Sequence, residues 1–503
     1  MLRAVPPGAR EAIALVFVFG LGAALRFHAI GVPTYWTDEF YSLQESNGYE
    51  MRASLGTPGV LQEPMPLLTE HAAARPIREL VAAVRTDDSA PLFFAVLHFW
   101  RRLVPDREAW TRGLAALFSL AALGLGWLVV RSRFGPGSAL AAALLVALST
   151  QQIRYAQEVR GYALATALVT LALLAVDRLE RRASWGWAGI LGVASLLAVL
   201  THYDTVGALA GLGLYALLVL RGREQRAVLG AFAASLVAFA VTWGPILATH
   251  RFGTTTEWIL DKAGPGHLSR TLVRLVALPA ALLADNDPPR SVWLPAVGLG
   301  LWLLLALAFR RPAARIFVAV VVGTALILLA TDLWLGTRQL DYPRYALFAG
   351  PALAAGIAAL SGRRGRVAAF ALAALLAFRV PLSYATGRLP WRDVAPVLAA
   401  KARPHEPLVV VGRGGSDLNA LAVFQALRHY AWAGDRGFVL VETPADAALR
   451  EALLVRDSAW IVSYKDARLG LLPPFRVLDE LDTAPDMPRF WRVSFAVPLA
   501  GRP

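Results

Sequence analysis

The chain is 503 residues long, 56% hydrophobic and only 17% charged, with no cysteine and a net charge of +14. Apolar runs of membrane-crossing length recur from residue 12 to residue 381, which excludes a soluble globular protein and makes this a polytopic membrane protein. The lack of cysteine excludes disulfides, thiolate metal sites and redox chemistry at sulfur. The excess positive charge sits mostly in short Arg clusters between apolar runs, as orientation signals facing anionic lipid do, so it is read as membrane contact and not as a nucleic-acid footprint.

In chain order, the expected spans are roughly 12–30, 109–130, 136–152, 161–177, 185–201, 205–220, 226–247, 292–309, 316–332, 344–360 and 366–381, about eleven helices. After every second span comes an Arg cluster: Arg131 and Arg133; Arg178, Arg181 and Arg182; Arg221, Arg223 and Arg226; Arg310, Arg311 and Arg315; Arg363, Arg364 and Arg366. With Arg3 and Arg10 inside, this pattern puts the N-terminus in the cytoplasm of a cell bounded by this inner membrane, and the C-terminus outside. Pro91 to Val104 and Leu272 to Ala284 are too short to cross, and both read as juxtamembrane or re-entrant helices at the outer face, with Arg101 and Arg102 at the interface.

Residues 1–385 thus form a membrane domain, and residues 386–503 a small extracytoplasmic α/β domain. The latter alternates strand-like runs (Leu408 to Gly412, Phe438 to Glu442, Trp460 to Ser463, Arg492 to Val497) with helical ones (Val394 to Ala402, Leu418 to Trp432, Ala445 to Val455). Its Gly412-Arg413-Gly414-Gly415 loop lacks dinucleotide spacing and reads as a turn. The long loop of about 249–290 has the length and polarity of a lid.

Placed on this topology, the polar outliers gather at one face. The adjacent carboxylates Asp38 and Glu39 follow the first span, in Tyr35-Trp36-Thr37-Asp38-Glu39-Phe40-Tyr41. Asp87 and Asp88 lie later in the same loop, Arg154 to Tyr162 forms the second, Thr201-His202-Tyr203-Asp204 opens the third, and Asp341 to Tyr345 forms a late one. Ionisable groups at a membrane boundary are costly and mark function. A carboxylate pair takes a proton from a hydroxyl and stabilises positive charge developing at a sugar carbon. Arg and Tyr hold a phosphate through charge-assisted hydrogen bonds.

Each residue also has a plainer reading. Asp38 and Glu39 suit the first turn of a helix. Arg160 and Arg344 suit interfacial anchors, and the aromatics around Asp38 suit a membrane belt. His202, with Tyr203 and Asp204 beside it, reads as a metal ligand, a donor-site group or a satisfied polar residue at a helix end.

Four ordered motifs over roughly residues 10–380 resemble the membrane-embedded glycosyltransferases of the GT-C type. The likeness is to the bacterial branch related to protein O-mannosyltransferases, the lipid A aminoarabinose transferase ArnT and the Rgt galacturonosyltransferases. The motifs are Trp36-Thr37-Asp38-Glu39; Ser89-Ala90-Pro91-Leu92-Phe93-Phe94 with His98 and Trp100 following; Gln157, Glu158, Arg160 and Tyr162 in Gln-Glu-x-Arg-x-Tyr; and Arg344-Tyr345 followed by Pro351. Ala90 departs from the family's paired prolines.

The resemblance implies a GT-C fold and inverting transfer of one sugar from a polyprenyl-phosphate carrier, such as undecaprenyl or decaprenyl phosphate. The acceptor would be a hydroxyl on a lipid, glycan or protein at the outer face. It implies Asp38 as general base and Glu39 as its orienting neighbour, with Arg160, Tyr162, Arg344 and Tyr345 on the carrier phosphate. Gln157, Glu158, Asp88, His202 and Tyr203 would line the donor and acceptor pocket. No nucleotide, cofactor or metal is expected. A flippase for polyprenyl-linked sugars would carry internal repeats and midplane charges; a glycan polymerase would show large Arg-bearing outer loops in place of the Asp-Glu pair.

Overall fold

The computed structural model describes residues 7–50, 67–86, 89–249, 259–260, 266–284, 292–360, 362–384, 391–403, 406, 408–411, 417–430, 438–441, 459–464, 475–480 and 491–498. The helices are α1 Pro7–Phe27, α2 Thr37–Ser46, α3 Ile77–Val84, α4 Leu92–Arg101, α5 Glu108–Phe134, α6 Pro136–Leu148, α7 Thr150–Ala156, α8 Tyr162–Arg181, α9 Trp185–Thr201 and α10 Thr205–Val219. They continue as α11 Gly222–Thr242, α12 Gly244–Leu247, α13 His267–Ala284, α14 Leu294–Phe309, α15 Arg315–Leu335, α16 Gly350–Ala358, α17 Gly362–Tyr384, α18 Trp391–Lys401 and α19 Asp417–Tyr430. The strands are β1 Leu408–Val411, β2 Phe438–Val441, β3 Ala459–Tyr464, β4 Phe475–Glu480 and β5 Trp491–Pro498. The chain divides into two compact units: residues 1–30, 85–93 and 111–386, and residues 31–84, 94–110 and 387–503.

The first unit is the membrane part. Among the described residues six helices are long and apolar enough to cross a bilayer, α1, α5, α8, α11, α13 and α15 (with the turn before it), or seven with the bent pair α6–α7. Three expected spans are shorter apolar helices: α9 with 17 residues, α10 with 15 and α14 with 16. The expected span 344–360 is split, because Pro343 opens a 3-10 turn over Pro343–Ala349 before α16 begins. The expectation for Leu272 to Ala284 is corrected. The helix begins at His267, and the added polar turn with Ser269 and Arg270 brings it to 18 residues, long enough to cross.

Helix contacts in this unit rest on missing side chains. An added Cβ at Gly211 of α10 would lie 2.1 Å from the Ala319 carbonyl oxygen of α15, and one at Gly207 would lie 2.9 Å from Thr324 Cα. A small residue every fourth position lets two backbones meet directly, which in lipid replaces the hydrophobic driving force between helices.

The bend between α6 and α7 is 59°. It falls on Ser149-Thr150-Gln151-Gln152, and the polar atoms freed there are taken up locally. Ser149 Oγ accepts the Gln152 N–H at 3.3 Å and donates to Leu282 O at 3.2 Å. Arg26 of α1, fully buried, donates to Val146 O at 3.1 Å, Ala147 O at 3.3 Å and Ser119 Oγ at 2.8 Å. A broken helix inside a membrane persists only where such partners satisfy its carbonyls.

The second unit joins the stretch after α1 to the C-terminal residues. Its sheet has order β2-β1-β3-β5-β4, with β1 parallel to β2 and β3, and β5 antiparallel to β3 and β4. The expected helix Ala445 to Val455 and the Gly412 to Gly415 loop lie outside the described residues. Helix α2 packs through Tyr35 and Phe40 on His429 of α19, ring centroids 5.4 and 5.7 Å away, and Tyr35 N donates to Tyr430 Oη at 2.8 Å.

Arg101, expected at the membrane interface, is instead buried. Its guanidinium donates to Leu43 O, Ser46 Oγ, Asn47 Oδ1, Thr69 O and Asp106 at 2.6–3.1 Å. One planar fork with five N–H donors ties the end of α2 to α4, a task a snorkelling cation does not perform.

Candidate functional site

In the first unit, a basic and aromatic cluster is assembled from three loops. Gly161 starts α8 hard against the end of α9: a Cβ there would lie 3.2 Å from both Thr201 Cγ2 and Phe93 Cβ. That approach sets the Tyr162 ring 5.3 Å from the His202 ring. The late 3-10 turn adds Tyr345, 5.9 Å from His202, and Phe348, 6.4 Å away. The turn is fixed to α7 by Gln152 Nε2, which donates to Leu347 O at 3.0 Å.

The cations lie on these rings. The Arg160 guanidinium stands 5.9 Å from the Tyr162 centroid, and that of Arg344 stands 5.1 Å from Tyr342 and 5.4 Å from Tyr345. Arg344 is buried. Burial, with the charges of Arg160 and Arg344, pushes the His202 imidazole down from 6.5 to about 3, so it is neutral at physiological pH. Two guanidiniums, a neutral imidazole and tyrosine rings make a cluster whose chemistry suits an anion, and a planar fork suits phosphate.

The other expected residues fall around this cluster with separate tasks. Gln157 Nε2 donates to Arg26 O at 3.0 Å and His28 O at 2.8 Å, capping α1. Glu158, 2% exposed, faces Arg154 at 3.4 Å. Tyr203 Oη donates to Ser89 O at 3.3 Å and accepts Trp243 Nε1–H at 2.8 Å, bracing the α9–α10 turn. Asp88 lies outside the described residues.

Asp204, named in the sequence only as a neighbour of His202, has its Oδ2 3.6 Å from His202 Nδ1. The available signal is spacing, a carboxylate two residues past a histidine at a helix start. Arg154, in the last turn of α7, reaches Glu158 four residues on, past the end of the helix.

In the second unit, Thr37-Asp38-Glu39 opens α2. Glu39 is buried and its Oε2 accepts the Trp36 N–H at 3.1 Å, the reach-back half of a capping box. Asp38 is half-buried in the first turn, with Ser42 Oγ on its carbonyl at 3.0 Å. Among the described residues no three His, Asp or Glu side chains gather as a metal-binding group.

Residues 88–247 match the family described as dolichyl-phosphate-mannose-protein mannosyltransferase. The fold is similar to that of ArnT from Cupriavidus metallidurans in the apo state, with TM-score 0.56, 17% identity, and 96% of this chain and 98% of that one covered. The same ArnT bound to undecaprenyl phosphate gives 0.42, 16%, 97% and 99%. The Archaeoglobus fulgidus oligosaccharyltransferase, in complex with zinc and sulfate, gives 0.50, 13%, 90% and 68%. No curated protein matches the chain.

The chain thus has a multi-pass, largely helical membrane fold similar to that of ArnT, and its residues 88–247 are similar to that mannosyltransferase family.

Proposed function

We propose that this enzyme transfers one sugar from a polyprenyl-phosphate carrier to a hydroxyl on a lipid, glycan or protein acceptor at the outer face of the cytoplasmic membrane, with inversion. The observation that carries this reading is the pairing of Arg160 and Arg344 with Tyr162 and Tyr345 around a neutral His202. That chemistry fits a lipid-linked phosphate, the donor class named in the matched family's description.

In the reaction, the Asp38 carboxylate takes the proton of the acceptor hydroxyl as that oxygen bonds to the sugar's anomeric carbon. The bond from that carbon to the phosphate oxygen breaks, and the carrier phosphate leaves with the electron pair and one more negative charge. Arg160, Arg344, Tyr162 and Tyr345 receive that charge, and donors fixed before it develops need no reorganisation. Glu39 holds the turn that presents Asp38. Gln157, Glu158, His202 and Tyr203 line or brace the donor and acceptor pocket.

The test is transfer by the purified protein with a panel of undecaprenyl-phosphate sugars and a crude envelope fraction as acceptor. Wild-type transfer that is lost in Asp38→Asn and weakened in Arg344→Ala supports the reading. Wild-type transfer with Asp38→Asn equally fast removes Asp38 as base, and carrier translocation in vesicles without transfer would replace the reaction with lipid flipping.

A further inference from the structure

We propose that Asp204 is a positioning residue for the donor phosphate: it sets which nitrogen of His202 carries the hydrogen, and thereby whether the ring donates to that phosphate. The inference rests on the reading that Arg160 and Arg344 hold the phosphate.

The ring of His202 is closely confined. Its backbone N–H donates to Ala198 O at 2.9 Å, and its carbonyl accepts the Thr205 hydroxyl at 2.7 Å and the Thr205 N–H at 3.1 Å. Tyr162, Tyr345 and Phe348 pack around it. Nδ1 is buried without a hydrogen-bond partner among the described residues, and Asp204 Oδ2 at 3.6 Å is the polar atom facing it. Closing that gap to hydrogen-bond length needs a movement of about half an ångström.

The groups facing this pair are Arg160 before α8, Tyr162 on α8, Arg344 and Tyr345 on the late 3-10 turn, and Asp332 on α15. Burial and the Asp332 charge raise the Asp204 carboxyl from 3.8 to about 7, while His202 stays neutral.

A neutral imidazole has one N–H, and its partner decides where that hydrogen sits. With Asp204 protonated, its O–H donates to Nδ1 and the ring keeps Nε2–H as a donor for an anion. With Asp204 ionised, Nδ1–H turns to the carboxylate and Nε2 offers only a lone pair, which repels phosphate. Donor binding should therefore weaken as pH rises through the titration of Asp204.

The experiment measures binding of undecaprenyl methyl phosphate to the full chain in lipid nanodiscs. This diester keeps a single charge throughout, so its own titration does not enter. Between about pH 5.5 and 8.5 wild type should weaken roughly tenfold, the scale of one hydrogen bond to a charged group. Asp204→Asn presents an amide N–H to Nδ1 at every pH, so it should bind with the acid-side affinity and lose the pH dependence. Asp204→Ala removes the carboxylate that draws the hydrogen to Nδ1, so it too should lose the pH dependence.

An Asp204→Asn or Asp204→Ala profile that weakens with pH as wild type does overturns the proposal. Arg344→Ala separates the two readings. If it binds as wild type, the phosphate reading falls and the Asp204 role with it. If it weakens binding while Asp204→Asn tracks wild type, only the Asp204 role falls.

Discussion

Glu39 Oε2 accepts the backbone N–H of Trp36 at 3.1 Å, so the second carboxylate of the Asp-Glu pair is bound into the start of its own helix while Asp38 stands half-buried beside it. Adjacent residues of the same charge type thus have different work. Asp38→Asn should slow transfer by about 100-fold or more, the low end for losing a general base. Glu39→Gln, which keeps an acceptor for Trp36, should retain most activity, and Glu39→Ala should cost about 1 kcal/mol of stability. Steady-state rates and thermal melts of the three variants check this, and equal loss of activity in Asp38→Asn and Glu39→Gln would refute the division.

Arg160 and Arg344 are expected to act on the donor. Either changed to Ala should raise the donor KM by about 10–100-fold, from a charge-assisted hydrogen bond worth roughly 1.5–3 kcal/mol. Acceptor KM should stay within about twofold under the same logic of independent sites. Kinetics with each substrate varied in turn decide the matter.

His202 gives an acid-side stability signature. Its folded value of about 3 lies below the ordinary 6.5, so the fold favours the neutral ring; that contribution is fully present above pH 6.5 and is lost as pH falls toward 3. Asp204, raised to about 7 from 3.8, acts oppositely: its protonated form is favoured, and stability is lost as pH rises from 3.8 toward 7. Melting of His202→Gln should therefore fall less than wild type when the buffer is acidified below pH 6.5. An identical acid decline in both would contradict the buried neutral ring.

Arg101→Ala should destabilise the second unit by about 3–5 kcal/mol, because Asp106 and the carbonyls of Leu43 and Thr69 lose their buried partner. Arg101→Lys should recover little, since an ammonium has no planar fork. Chemical unfolding followed by tryptophan fluorescence reads the change.

Gly211→Ala places a methyl where the Ala319 carbonyl already lies 2.1 Å away, so α10 and α15 must move apart. A cost of about 1–3 kcal/mol follows from overpacking. The neighbouring Gly213→Ala meets only Phe232 Cδ2 at 4.0 Å and should be silent. Size-exclusion profiles and melting temperatures of the pair provide the comparison.

Some of this architecture was written plainly in the chain. The segments Arg160-x-Tyr162 and Arg344-Tyr345, far apart in sequence and legible by their residue types, meet around His202. Helix length was less legible. The reading of Leu272 to Ala284 stopped at the polar residues that the helix in fact includes, and hydropathy did not show where Pro343 turns the backbone into a 3-10 turn. Gln157 shows a further limit: its motif position says it matters, but only the coordinates reveal its amide on the carbonyls that end α1.

The burial of Arg26 bears on how the protein is made. Its guanidinium rests on Ser119 of α5 and on the carbonyls at the end of α6, elements synthesised about a hundred residues later. Until they emerge, Arg26 in the last turn of α1 is a cation without these partners. The contacts that bury the end of α1 therefore form only after α5 and α6 have been made. A ribosome-bound chain shortened before α6 should therefore hold α1 less firmly than one that includes it, as alkaline extraction would read.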